Sequence, residues 1–344
     1  MTNQRPIKLS LLVVENTSPS TLYGLYDVLS SVGLGWETFV TGDPVEPQLD
    51  VRIVACDTQP VTCSGNILVA PHLGVEDDHD PDIILVASLV VPASGSPPDF
   101  DPRIVAWLQR HHDRGILIAS ACTGAIILGQ AGILNGWEAS SHFAYSDQFR
   151  IYFPEVKMRL DQNLCVSGPE NLLVTSGGTT AWQELALYLV TRFCGIDHAM
   201  HTAKFWLIPD REVNQASYSS LCVGIPHNDG AINQCVSWIS ECPQIENPVA
   251  EMTSLSGLPP TTFARRFKKA VGYSPIDYVH LLRIEQAKLM LETDRDTVDQ
   301  IGRSVGYEDP SSFRRIFKRK VGIPPGIYRK KFGRGRFEKF VLLD

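Results

Sequence analysis

The sequence predicts an α/β domain with a mostly parallel sheet, followed by an all-α domain carrying two helix-turn-helix units. Three observations predict this. Apolar, β-branched runs alternate with helical stretches up to about residue 196. A motif at 263–275 recurs at 313–325. The charge also divides along the chain. Of 31 Lys+Arg and 38 Asp+Glu, 19 and 11 fall in residues 249–344, a net +8. The first 248 residues keep 12 and 27, a net −15. Such a split points to one segment that meets a polyanion and one that does not. At 344 residues with 44% hydrophobic composition, the chain is long enough for two packed cores.

In the first part, residues 8–14, 67–71, 83–91 and 115–121 read as strands. Helical stretches at about 19–32, 101–113, 123–132 and 178–194 lie between or after them. Continuous apolar strands alternating with helices imply a sheet covered on both faces. The run Ile83 to Val91 is too short to span a bilayer and is cut by Pro92, so no membrane association is expected. No secretory signal is apparent at Met1 to Ser10, which makes a cytoplasmic location the expectation. The eight cysteines, at 56, 63, 122, 165, 194, 222, 235 and 242, form no CxxC pair and read as reduced thiols.

The repeat defines the last part. At a constant offset of 50, Phe263/Phe313, Arg265/Arg315, Phe267/Phe317, Lys268/Lys318, Val271/Val321, Gly272/Gly322, Pro275/Pro325 and Tyr278/Tyr328 coincide. In each copy the phenylalanines at i and i+4 and the valine at i+8 share one helix face, and the glycine ends the helix. A shorter helix and a glycine turn precede each copy: Pro248 to Ser256 with Gly257, and Thr297 to Val305 with Gly306. Asp309 is the predicted N-cap of the last long helix and Pro310 its first residue. Between the copies, Pro275 to Thr293 reads as one amphipathic helix of about five turns, with Ile276, Val279, Leu282, Ala287, Met290 and Leu291 as its apolar positions. Helix, tight turn, helix is the motif whose second helix enters the DNA major groove. Two copies on one spacer can enter successive grooves about 34 Å apart.

Over 249–330 the sequence resembles the AraC/XylS family of regulators. The pattern comprises Ser274-Pro275, Tyr278, Arg283, Ala287, Ile301, Gly306-Tyr307, Phe313, Phe317-Lys318, Gly322, Pro325 and Tyr328-Arg329. The resemblance implies base-edge contacts from Thr261, Ala264 and Arg265 in the first unit, and from Ser311, Ser312 and Arg315 in the second. Arg265 and Arg315 can each hold a guanine bidentately. Lys268, Lys269, Arg314 and Lys318 read as phosphate-positioning groups. Pro259 stands where the family often has a capping serine.

The chemically distinctive point of the first part is the apolar strand Ile116-Leu-Ile-Ala-Ser-Ala running into Cys122-Thr-Gly124. Strand, sharp turn and helix form an elbow of the kind that presents a nucleophile, and a helix N-terminus favours thiolate. Together with Ala131-Gly-Ile-Leu-Asn-Gly136, Ser141-His142-Phe143, Phe153-Pro154 and Thr175-Ser-Gly-Gly178, it resembles the DJ-1/PfpI branch of the class I glutamine amidotransferase-like fold over roughly 8–196. Active relatives carry a histidine after the cysteine and an acid on the first helix. Thr123 and Thr21 stand at those positions. His142 is the remaining candidate base. The resemblance therefore implies an inactive site reused as a ligand pocket, with Thr21, Cys122, Thr123 and His142 as its candidate residues and no cofactor. A cysteine-dependent hydrolase or hydratase and a Cys122 redox sensor are the competing readings.

His111-His112 and His198-x-x-His201 have spacings that suit a metal, but no acidic or thiol partner is evident in the sequence, and no metal is expected. Ser217 to Asp229 reads as loop, and Ala231 to Ser240 as a helix. The expected organisation is a ligand-sensing domain at 1–196, a helical connector at 197–248 and a DNA-binding domain at 249–333. The partners implied are double-stranded promoter DNA, RNA polymerase, a small-molecule effector and a second copy of the chain in a homodimer.

Overall fold

The computed structural model describes residues 5–42, 46–77, 80–209, 217–218 and 229–334. The chain forms two compact units, Met1–Gln215 and Ala216–Asp344. The stretch 219–228, read above as loop, and Cys222 within it lie outside the described residues.

The first unit opens with β1 (Ile7–Leu12), α1 (Pro19–Ser30) and β2 (Leu49–Ala55). A small hairpin, β3 (Val61–Cys63) and β4 (Ile67–Val69), precedes β5 (Leu73–Gly74) and β6 (Ile83–Val86). The chain continues through α2 (Pro102–Asp113), β7 (Leu117–Ala121), α3 (Ala125–Gln130) and β8 (Glu138–Ala139). It then forms α4 (Ser146–Tyr152), β9 (Lys157–Met158), β10 (Leu164–Ser167) and β11 (Leu173–Ser176), and ends in α5 (Trp182–Cys194) and α6 (Ile196–Phe205).

Seven strands form one sheet in the order β10-β11-β7-β6-β1-β2-β5, parallel except for β10 at its edge. Leu9 pairs with Val51 on one side and Ile83 on the other, and Ile118 pairs with Leu173. Alternate residues feed two cores. Leu9, Leu11, Ile83 and Leu85 pack toward α1 and α5 with Leu22, Leu25, Leu185 and Leu189. Leu12, Ile84, Val86 and Ile118 pack toward α2 and α3 with Trp107, Leu108 and Ile126. Both faces are buried at the centre of the sheet, which is why β6 is apolar without alternation. The chain moves from β1 outward to β2 and β5, then returns to β6 on the other side of β1. The topological switch point therefore lies between β1 and β6, and ligands bind such sheets at the carboxyl ends of the strands flanking that point.

The expected strand at 67–71 is only the second arm of the hairpin and takes no part in the large sheet. Ile67 and Leu68 are exposed there. The run 83–91 stops being a strand after Val86, because Ser88, Leu89 and Val90 turn to meet the segment after β1.

The second unit is helical: α7 (Gly230–Glu241), α8 (Pro248–Ser256), α9 (Pro260–Val271), α10 (Pro275–Thr293), α11 (Val298–Ser304), α12 (Pro310–Val321) and α13 (Pro325–Phe332). The repeat phenylalanines face inward as the sequence requires, with Phe263, Phe267, Phe313 and Phe317 all at 0–1% exposure. Gly272 and Gly322 end α9 and α12 in the left-handed conformation, at φ of 86° and 89°. Residues 197–248, expected as a connector, divide between the units. Ala199 of α6 joins the core beneath α1 and α5. Ile232, Cys235 and Ile239 of α7 bury against Met252, Phe263 and Phe267. In α10 the buried stripe runs through Tyr278, Val279, Arg283, Ile284, Ala287, Lys288 and Leu291. Ile276, expected on it, is on the same spacing but lies in the first turn of the helix and is 47% exposed. No helix among the described residues is long and apolar enough to cross a membrane.

Candidate effector pocket and nucleic-acid interface

All five residues of β7 are buried, and the strand delivers Cys122 into a turn at φ of 55°. A non-glycine residue in that region holds local strain, the signature of an elbow. The sharp turn belongs to Cys122 itself and not to the glycine that follows. Gly124 has ordinary helical angles, φ −56° and ψ −25°. It must be glycine because an added Cβ would lie 2.7 Å from the Ala87 carbonyl oxygen and 2.8 Å from that of Val86. The backbone of the elbow thus rests directly on the end of β6.

Thr123 is buried, and its hydroxyl is occupied by the chain just after β6. It donates to the Leu89 carbonyl at 2.6 Å, accepts from the Leu89 N–H at 2.7 Å, and lies 3.1 Å from the Ser88 hydroxyl. The Ser88 carbonyl in turn accepts from the N–H of Ser18, the N-cap of α1. One turn into α1, the buried Thr21 hydroxyl donates to the Ser18 hydroxyl at 3.5 Å. On the other side, the Ser141 hydroxyl donates to the Cys122 carbonyl at 2.9 Å, and His142 follows. The Nδ1 of His142 accepts from the Ala144 N–H at 3.2 Å, and its ring stacks on Phe143 with centroids 4.4 Å apart. Burial lowers the pKa of His142, so the imidazole is favoured neutral. Tyr145 donates to the Val91 carbonyl at 2.5 Å; burial, and then the neighbouring Cys122 thiol, push its phenol up. Thr21, Cys122, Thr123 and His142 therefore gather around the carboxyl ends of β1, β6 and β7. Cys122 itself is 3% exposed.

A cavity of about 340 Å³ opens at the carboxyl ends of β1 and β2, and none of Thr21, Cys122, Thr123 and His142 is among the residues that line it. Its walls include Val14, Glu15, Cys56, Asp57, Val91 and Asp101. The β3–β4 hairpin closes one side, tied to the chain after β1 by Asn16 N–H to the Thr62 carbonyl and Ser64 N–H to the Thr17 carbonyl. Sequence reasoning missed this cavity, since its walls come from five separated segments. The one available signal was the strand pattern of 49–55, which places Cys56 and Asp57 at a carboxyl strand end. Asp101 caps α2 by accepting from the Arg103 N–H, and the Arg103 guanidinium holds its carboxyl well below the usual range. Burial, followed by the hydrogen bond to Asp101, pushes the Cys56 thiol up to about 11.

The two histidine pairs resolve differently. His111 is buried, its Nδ1 2.8 Å from the Trp107 carbonyl oxygen. His198 and His201 flank Glu37, with Nδ1 to Oε1 distances of 3.9 and 3.1 Å. An acidic partner thus exists, brought from a segment more than 160 residues away, beyond the reach of local spacing.

In the second unit, α9 and α12 each turn one face outward. Thr261, Ala264, Arg265, Lys268 and Lys269 are exposed on α9; Ser311, Arg314, Arg315, Lys318 and Arg319 are exposed on α12. Ser312 is half-buried. The faces correspond at the offset of 50, but the helices differ in how they are held. The Pro259 position supplies no side-chain cap to α9. Arg266 instead binds Asp229, the N-cap of α7, through two hydrogen bonds of 2.9 and 2.8 Å. In α12, Asp309 caps the N–H groups of Ser311 at 3.0 Å and Ser312 at 2.8 Å. Arg314 pairs with Asp299 of α11 at 2.7 Å, which leaves it a weaker candidate for phosphate than expected. Arg319, which the sequence reading omitted, is exposed on the same face as Arg315 and matches Lys269 at the offset of 50.

Two helix-turn-helix units with matching basic faces, on a chain whose other unit is a doubly wound α/β domain, define a DNA-binding transcription regulator. Residues 252–331 match a helix-turn-helix domain model, and residues 29–192 match the DJ-1/PfpI family. Over 280 residues the chain is 23% identical to the HTH-type transcriptional regulator CdhR of Pseudomonas aeruginosa, covering 80% of each. It is 23% identical over 253 residues to the HTH-type transcriptional regulator GlxA of Rhizobium meliloti, covering 72% of this chain and 76% of that one. The N-terminal part is also similar to an isonitrile hydratase of Pseudomonas putida, 28% identical over 194 residues, 56% of this chain and 75% of that one. The chain thus joins a region of the DJ-1/PfpI family to an AraC-type helix-turn-helix region, as its HTH-type transcriptional regulator relatives do.

Proposed function

We propose that residues 1–196 sense a small nitrogen-containing metabolite without turning it over, and that its binding changes how residues 249–333 engage promoter DNA. The observation that carries this reading is Thr123. In place of a base it presents a hydroxyl already occupied by Leu89 and Ser88, which makes the elbow a structural joint. Thr21, Cys122 and His142, expected to border the ligand, do not line the cavity; the carboxylates of Glu15 and Asp57 in its wall suit a nitrogen-bearing group. To switch the protein, the ligand must bind one arrangement of the units, or of a homodimer, better than another.

On DNA, Arg265 and Arg315 read bases, assisted by Thr261 and Ala264 in α9 and by Ser311 and Ser312 in α12. Lys268, Lys269, Lys318 and Arg319 hold phosphates, and Arg314 joins them when released from Asp299. RNA polymerase is the partner that would convert promoter binding into altered transcription. Calorimetry of the full chain against a metabolite panel, paired with promoter-binding assays, tests the sensing reading. If no metabolite alters DNA affinity or transcription, it fails.

The similarity to an isonitrile hydratase supports a second reading, a cysteine-dependent hydratase joined to a DNA-binding domain. That reading predicts turnover abolished by Cys122→Ala with DNA binding unchanged. A redox role for Cys122 is opposed by its 3% exposure, since oxidation follows access to the thiol.

A further inference from the structure

The interior of the DNA-binding unit holds one guanidinium whose contacts reach both helix-turn-helix units. Arg283, midway along α10, is 9% exposed. Its Nε donates to the Pro243 carbonyl at 2.7 Å and its Nη2 to the Ile245 carbonyl at 2.9 Å, both on the segment that leads into α8 of the first unit. Its Nη1 donates to the Gly306 carbonyl at 2.7 Å, in the turn between α11 and α12 of the second. The guanidinium carbon sits 5.5 Å from the centre of the Tyr307 ring. That ring lies nearly parallel to His280 of α10, and its hydroxyl is 3.0 Å from His280 Nδ1.

Gly306 shows how tight the junction is. Its φ is 94°, and an added Cβ would lie 2.9 Å from the guanidinium carbon and 2.9 Å from both the Cα and the carbonyl oxygen of Gln244. Backbone from the first unit and backbone from the second thus meet over this one side chain. Only arginine supplies a planar fork of donors able to serve three carbonyls at once; lysine has a single nitrogen at the end of a flexible stem. With all three carbonyls in place the buried charge is satisfied, and any displacement of one unit strips a bond from it.

We propose that Arg283 is the positioning residue that fixes the separation and mutual rotation of α9 and α12, and through them the spacing of the two half-sites in the operator. One inserted base pair moves the half-sites apart by about 3.4 Å and turns one against the other by about 35°. A pair of readers locked through Arg283 cannot follow that change, so one recognition helix loses its base contacts. The inference rests on both helices engaging the same duplex.

The test uses a duplex selected by the full chain from a randomised pool, together with versions carrying one base pair more or fewer between the half-sites. The wild type loses at least about tenfold in affinity on either altered duplex, as expected for the loss of one bidentate base contact. Arg283→Lys loses about tenfold on the parent duplex, and its penalty for altered spacing shrinks to about threefold or less. Tyr307→Leu, which keeps the arginine but removes the ring against it, moves both quantities the same way by less. Far-UV circular dichroism and melting verify that each variant is folded. A purely structural role would lower affinity on all three duplexes equally, so the change in spacing penalty is the decisive readout. The proposal is overturned if the wild type tolerates either altered duplex, or if a folded variant keeps the wild-type penalty. Failure of Arg283→Lys to fold leaves Tyr307→Leu to decide by the same criterion. If the two-helix reading itself were wrong, Arg265→Ala and Arg315→Ala would leave affinity for the parent duplex unchanged, a different result.

Discussion

Replacing Thr123 with valine keeps the shape of the side chain and deletes the hydroxyl that joins the elbow to the chain after β6. In the wild type that oxygen bonds both main-chain groups of Leu89, at 2.7 and 2.6 Å, and lies 3.1 Å from the Ser88 hydroxyl. Leu89 and Ser88 are each 3% exposed, so water is a poor substitute. A buried polar group left without its partner costs about 1–3 kcal/mol. Two main-chain groups facing a methyl therefore cost about 3 kcal/mol, toward the lower end of their sum because the loop can relax. For a unit of roughly 200 residues, each kcal/mol lowers the melting temperature by about 2–4 °C, which gives a fall of about 6–12 °C. Differential scanning calorimetry of the full chain should show this in the transition of the N-terminal unit alone. Thr123→Ser, which keeps the oxygen, should recover most of the loss. A fall under about 2 °C in Thr123→Val would refute the claim that this hydroxyl holds the elbow in place.

Acid should weaken the protein in a defined window. Burial lowers the folded-state pKa of His72, His111, His142 and His280, so the unfolded chain binds more protons than the folded one. The stability these groups contribute is complete above about pH 6.5 and is lost as pH falls from there toward their depressed values. The Nδ1 of His72 adds to this, since it accepts the Ile53 N–H at 2.8 Å and cannot do so once protonated. Melting curves at pH 7.5 and 5.5 check the sign; an unchanged or higher midpoint at 5.5 would contradict it. Phe317→Ala empties a site at 0% exposure and should cost about 3–5 kcal/mol, melting the second helix-turn-helix unit first by calorimetry. Arg265→Ala and Arg315→Ala should each weaken operator binding by about 1–3 kcal/mol in anisotropy titrations and relax base preference at different positions. Lys268→Ala should instead weaken binding evenly across sequences and reduce the slope of affinity against salt by about 1.

Where the sequence repeats itself, it was easiest to read. The offset of 50 located both recognition helices, the inward phenylalanines and the terminal glycines, because each is fixed by contacts within a single helix and turn. Pro248–Ser256 and Pro275–Thr293 fall where the pattern placed them. The strand Leu49–Ala55 escaped notice although Leu49, Val51 and Ile53 alternate with Asp50 and Arg52; a charged residue in each gap masked a strand that lies second from the sheet edge. The elbow was visible as a motif, but the residue adopting the strained conformation was not. Glycine is the usual occupant of a left-handed position, and here Cys122 takes it while Gly124 makes room for two carbonyl oxygens. The Arg283 junction, the cavity beside Cys56 and the pairing of Glu37 with His198 and His201 depend on long-range approach. No local pattern encodes them. Arg283 did stand in the pattern resembling the family, but as a position without a role.

Recognition of DNA by this protein depends above all on two unlike readers held at a set separation on one chain. Selecting duplexes from a randomised pool with the full protein, then footprinting the winners, tests this directly. The predicted result is an asymmetric site with two unlike half-sites centred about one helical turn apart, one losing definition with Arg265→Ala and the other with Arg315→Ala. Two copies of the same half-site at that spacing, or no enriched sequence at all, would contradict it.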